Sequence, residues 1–368
     1  MKITICGAGR GGTTLAADFS LMGHDVTLYQ HPDFAQSLEP IRAAGGLTIT
    51  GNTISKKNGL ATPKLSTDAA EAVKGSDVVF FCLAAFGHEN MMTTVIPHME
   101  DGQIGVVTTG YFSSLRFRDL IHKPGRKLYW VETELLPYLT DNTSPSEIGV
   151  MAVKSALGFA SFPASDMDHV TPILKQLLPM LEPMKNVLEV TAASLNPICH
   201  MPLILLNLAT IDNTPDEGTF NMYGVGNSPM AGKLIEALDR EKIEFGKLFG
   251  IEMETAMERD HKIYPNSNPE GKGMYELIKE EETSPDFTLH PYEYIGITNE
   301  DIPFMLVPMA TIARNMGKVL PLNEAFINIF GAAYGKNYWE TGVTAEKLGL
   351  DKLSAQEIAD LVDFSVRA

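Results

Sequence analysis

The chain has 368 residues, 44% of them hydrophobic, with a formal net charge of −17. That length exceeds what one hydrophobic core usually organises, so two domains are expected. The negative balance argues against nucleic acid or an anionic membrane as a partner, because no basic stretch denser than Lys56 and Lys57 offsets it.

The first residues, MKITICGAGRGGTTLAADFSLMGHDVTLYQH, read as strand, glycine turn, helix, strand. A β-branched run over 2–6 is followed by apolar residues at helical spacing over 13–22 and a second strand over 25–29. Between them Gly7, Gly9 and Gly12 make GxGxxG, with Ala8 and Arg10 inside it. The first glycine permits the turn, the second lets a pyrophosphate approach the backbone, and the third lets the helix lie close to the sheet. Free amides at the helix start then face the phosphates. Its place after a strand and before a helix makes this a dinucleotide turn, binding NAD or NADP. The end of the second strand carries Gln30 and His31, neither the acid that favours NAD nor the arginine that favours NADP, so the preference stays open.

Further on, DVVFFCLAAFGHE is a continuous apolar strand whose end, around Ala84, should approach the cofactor. Strand-then-loop patterns recur over 102–111 and 127–138, the second including Glu132, and a helix over 167–178 and a strand over 186–190 close the domain. Alternating strands and helices predict a doubly wound parallel sheet of the Rossmann type, domain 1–190. Over 191–368 helices dominate, at 196–208, 229–249, 251–261, 273–281, 301–316 and 323–334. The charged run Lys279 to Glu282 reads as a solvated helix end.

SLNPICHMP suggests a helix capped by Asn196, which would place Asn196 and His200 one turn apart on one face, ahead of an apolar run. A cap beside an ordinary core histidine explains the pair as well as an active site does. TNEDIPFMLVPM places Asp301 before another apolar run, as a cap or first-turn acid. Histidine suits proton transfer near neutral pH, and better when a carboxylate holds its other ring nitrogen, so His200 and Asp301 are the candidate acid/base pair, with Asn196 beside them on the substrate carbonyl. Such a helix behind a dinucleotide-binding domain would face the nicotinamide across a cleft. Cys199 is a rival nucleophile by residue type, but as a helix neighbour it points elsewhere. Met201, Met305 and Met309 read as core filling or as the lining of an adaptable apolar pocket. Cys6, Cys82 and Cys199, odd in number and in apolar company, read as buried thiols of a reducing cytosol. With no charged leader and no unbroken apolar run of about 18 residues, a soluble cytoplasmic protein is expected. No HxxxH, CxxC or HExxH spacing suggests a metal site. Assembly is not legible, which leaves a homodimer open.

Over nearly its whole length the chain resembles the NAD(P)-dependent opine dehydrogenases, the octopine and nopaline group. The resemblance is carried by GAGRGG, ETELLPY, NPICHMPLILLN, SPMAGKLIEALDREK, NEDIPFMLVP and TAEKLGL; the N-P-x-x-H helix followed by E-D-I-P is its specific part. It implies reduction, by NADH or NADPH, of the imine formed between an amino acid and an α-keto acid. His200 would then be the proton donor, Asp301 its partner and Asn196 a substrate-positioning residue. Three places where the family pattern often has arginine hold Asp141, Gly296 and Val343 instead, so the resemblance speaks more to fold and reaction than to substrate. Two alternatives are a 2-keto or 3-keto acid reductase, disfavoured by the lack of lysine between Asn196 and Met230, and a dinucleotide-binding sensor without catalysis.

Overall fold

The computed structural model describes residues 1–265, 268–281 and 287–364. The chain divides into two compact units, Met1–Val187 and Leu188–Ala368. The first contains the strands β1 (Lys2–Cys6), β2 (Asp25–Tyr29), β3 (Leu47–Gly51), β4 (Gly59–Ala61), β5 (Lys64–Ser66), β6 (Val78–Cys82), β7 (Ile104–Thr108), β8 (Tyr129–Thr133), β9 (Tyr138–Ser144), β10 (Glu147–Val153), β11 (Leu157–Phe162) and β12 (Leu181–Pro183). Eight of them form one sheet in the order β12-β11-β8-β7-β6-β1-β2-β5, and the rest form β4-β3-β10-β9. In the large sheet every pair is parallel except β8 with β11. Both β6 and β7 are buried throughout, which is why VVFFC and IGVVT carry no polar alternation. Strand order reverses between β1 and β6, and a doubly wound sheet takes its ligands in the crevice at that switch point. This is the expected α/β sheet of the Rossmann type.

The second unit is helical, with Leu195–Asp212, Pro229–Lys247, Ala256–Ile263, Met274–Glu280, Pro291–Asp301, Val307–Asn315, Pro321–Tyr334, Tyr338–Thr341 and Ala355–Phe364. Met201, Met305 and Met309 are buried in its core. Lys279 and Glu280 end their helix on the surface, while Glu282 lies outside the described residues.

Three local expectations are corrected. Residues 186–190 are not a strand but lead into the helix Val187–Ala193, whose β-branched residues are buried on nearly every side, so tertiary packing overrides β propensity. The Asn196 helix begins one residue earlier, with Ser194 at the cap position and Asn196 inside the first turn. Asp301 does not open a helix; it is the last residue of Pro291–Asp301, which runs on through a π-helical turn, Ile302–Leu306, into Val307–Asn315. Pro303 and Pro308 have no amide to donate, and a widened turn accommodates that loss without breaking the rod. Taken together, Val187–Asp212 is also long and apolar enough to cross a membrane, and 56% of its most apolar stretch is buried inside the protein, as in a core helix.

Candidate active site

At the carboxyl end of β1 the glycines have distinct physical jobs. Gly7 has φ +109, and a Cβ there would lie 2.5 Å from the Cys82 carbonyl oxygen. A Cβ at Gly12 would lie 1.8 Å from the Gly7 oxygen, so only glycine lets the Arg10–Met22 helix pack this closely behind the turn. Gly9, at the helix cap, has nothing within 4 Å of its Cβ position. The result is an open cradle ahead of free helix amides, which suits a dinucleotide pyrophosphate. Ala8 is half-buried in the turn, and Gly9 and Arg10 are exposed. Beneath them Cys82 is buried, and burial pushes its thiol up to about 11, so it stays protonated and inert.

At the end of β2 the Gln30 side chain is fixed at both ends. Its Oε1 accepts the His31 N–H at 3.0 Å, and its Nε2 donates to Ser37 Oγ at 3.1 Å. At the end of β6, Ala84 starts a short turn leading to His88. His88 is fully buried; Nε2 donates to the Leu83 carbonyl at 3.3 Å and Nδ1 accepts from Arg116 Nη1 at 3.4 Å, a tautomer assigned from this network. Burial, reinforced by the Arg116 charge, lowers the His88 pKa to about 3. Burial likewise lowers Arg116, to about 10, against the pull of Glu89 and Glu132. Sequence reasoning missed this pair, which ties the loop after β6 to the one after β7.

Glu132 on β8 is fully buried, and its Oε1 accepts from Ser113 Oγ at 3.0 Å and from the Ser114 N–H at 2.5 Å. Its carboxylate therefore shapes the loop after β7. The rest of ETELLPY is similarly occupied. Glu134 accepts the Gly158 N–H at 2.7 Å, and Leu136 packs against Gly11, where a Cβ would lie 3.1 Å from a Leu136 methyl and 2.8 Å from Cys82 Sγ. Tyr138 donates to Asp18 Oδ2 at 2.7 Å, and Asp18 also accepts the N–H groups of Ile54 and Ser55. Asp18 lies on the helix that follows the glycine turn, so this motif braces the cradle against both sheets.

In the helical unit, residues 191–199 are buried except Asn196, and His200 reappears as half-buried one turn later. The two thus share the accessible face predicted from their spacing. His200 Nδ1 lies 2.8 Å from Asp301 Oδ2, with the imidazole 13% exposed and the carboxylate 1%. Residues 101 positions apart meet because the Pro291–Asp301 helix packs on Leu195–Asp212. With Nδ1 on the carboxylate, the tautomer is set and Nε2 is the nitrogen able to exchange a proton with a substrate. The Tyr223 ring stands 6.3 Å from that of His200, a neighbour the sequence did not reveal. Cys199 is buried, and desolvation pushes its thiol well above the ordinary value, which removes it as a nucleophile. Behind the same helix, burial raises Asp260 to about 6 although Glu281 hydrogen-bonds it. Among the described residues no group of three or more His, Cys, Asp or Glu side chains is placed to hold a metal ion.

A family profile described as NAD/NADP octopine/nopaline dehydrogenase, alpha-helical domain, matches residues 183–334, which contain both His200 and Asp301. An opine dehydrogenase from Arthrobacter sp. (strain 1C) is 26% identical, over 98% of each chain. The solved structure of an octopine dehydrogenase with NADH and agmatine superposes with a TM-score of 0.77 at 18% identity, over 98% of each chain. An NADP+-bound yersinopine dehydrogenase gives a TM-score of 0.66 at 15% identity, over 99% of this chain and 98% of the other. These likenesses establish the fold over both units, and the matched helical segment carries the His200–Asp301 pair. Over its whole length the chain is thus similar to opine dehydrogenases, and residues 183–334 match the helical domain of the NAD/NADP-dependent octopine and nopaline group.

Proposed function

We propose that the protein is an NAD(P)H-dependent opine dehydrogenase that joins the amino group of an amino acid, or another amine, to an α-keto acid. Condensation expels water and leaves a C=N bond; reduction adds a hydride to its carbon and a proton to its nitrogen. When bound in the glycine cradle, the reduced dinucleotide supplies the hydride. The chain's own residues handle the proton and the geometry. His200 carries the proton on Nε2 and gives it to the substrate heteroatom. Asp301, almost without solvent exposure, fixes the ring through Nδ1 and neutralises the charge that the protonated ring bears. Asn196 is a turn away on the same face, placed to hydrogen-bond the substrate carbonyl. Gly7, Ala8, Gly9, Arg10 and Gly12 form the pyrophosphate cradle, with Gln30 at the ribose end, Ala84 beside the nicotinamide half, and Glu132 shaping the loop next to it.

The observation that carries this reading is the 2.8 Å contact between His200 Nδ1 and a buried Asp301 carboxylate on the helix the family profile matches. His200→Asn tests it. The variant should fold, bind the dinucleotide as the wild type does, and lose about 10²- to 10⁴-fold in turnover; undiminished turnover would refute the assignment.

A further inference from the structure

We infer that the cofactor site of this enzyme selects NADH over NADPH, through the charge that the segment after β2 presents to the adenosine ribose. The inference rests on the dinucleotide reading of the glycine cradle. The two cofactors differ only at the 2′ position, where NADPH adds a phosphate of nearly two negative charges, and a Rossmann sheet holds that position at the end of its second strand. Here the strand ends in neutral Gln30, whose amide is held by the His31 N–H and Ser37 Oγ. His31 follows, with Nδ1 accepting the Asp33 N–H at 3.2 Å and the Asp33 carboxylate 3.5 Å from the same nitrogen. Arg42, the cation of this segment, is held by Glu39 Oε1 at 2.6 Å.

The neighbouring strand adds to the imbalance. Gln30 donates its backbone N–H to the Ser66 carbonyl on β5, and two residues later Asp68 caps a helix, accepting the Glu71 N–H at 2.9 Å. Its charge reaches the end of β2, where burial pushes the Tyr29 hydroxyl up to about 12 and Asp68 adds to the shift. A 2′-phosphate would thus approach a segment that carries Asp33, Glu39 and Asp68 against Arg42, which Glu39 already pairs, whereas a ribose hydroxyl carries no charge to repel.

The test is equilibrium binding of NADH and NADPH to the full-length protein, by calorimetry or by quenching of reduced-nicotinamide fluorescence, without substrate. NADH should bind at least about tenfold more tightly, as expected for one uncompensated like-charge approach at short range. In Asp33→Arg, an exposed position, the ratio should shift toward NADPH by at least about threefold. Equal affinities, tighter NADPH, or an Asp33→Arg ratio identical to wild type would overturn the inference and leave the dinucleotide reading intact. Failure to bind either cofactor would overturn both.

Discussion

The Asp301 carboxylate, with 1% exposure, gains a partner for its charge in the His200 ring nitrogen that meets it. Asp301→Asn keeps the shape and removes the charge. We expect about a 10- to 100-fold fall in kcat with the dinucleotide Kd unchanged, measured on the same preparation; an equal loss in cofactor binding would instead point to a structural role. His88 answers to pH differently. Its folded pKa, about 3, lies below the ordinary value of 6.5 because burial and Arg116 disfavour the charged ring, so the unfolded chain takes up a proton that the folded one refuses. Stability is therefore complete above about 6.5 and lost as pH falls toward about 3, at up to about 1.4 kcal/mol per unit. In urea unfolding, the wild type should lose about 2 kcal/mol more than His88→Gln between about pH 7 and 5. Parallel losses would show that His88 is not the group responsible.

The glycine turn separates fold from binding within one element. A Cβ at Gly12 would meet backbone at 1.8 Å, whereas one at Gly9 would meet nothing within 4 Å. Gly12→Ala should lower the melting temperature markedly. Gly9→Ala should leave it within about a degree and weaken dinucleotide binding by about tenfold, because its methyl occupies the pyrophosphate approach. An undisturbed Kd in Gly9→Ala would remove the cradle from cofactor binding. This turn was fully legible in the sequence because its chemistry is local, as was the shared face of Asn196 and His200. Asp301 was legible as a residue but not in its setting. The expected first-turn acid lies instead at the end of Pro291–Asp301, a helix whose signal, proline at its start and Glu293 three residues after the His290 cap, was available but not read. The His88–Arg116 pair and the Asp18–Tyr138 brace span 28 and 120 residues, and nothing in local spacing announces a contact at such range.

At the scale of the whole chain, the cradle belongs to the Met1–Val187 unit and the His200–Asp301 pair to Leu188–Ala368. Cofactor binding and proton transfer should therefore be separable by mutation. NADH at about a hundred times its Kd should stabilise the protein by about 2.7 kcal/mol, and by the same amount in His200→Asn. The substrate pair is left to be named by experiment. That experiment is also the most direct test of the enzyme's reaction: NADH and NADPH oxidation followed by absorbance, against a matrix of α-keto acids, each with and without a panel of amino acids and other amines. Oxidation should require a keto acid and an amine together and yield a secondary amine joining the two. Oxidation sustained by a keto acid alone would contradict it and make the protein a hydroxyacid dehydrogenase.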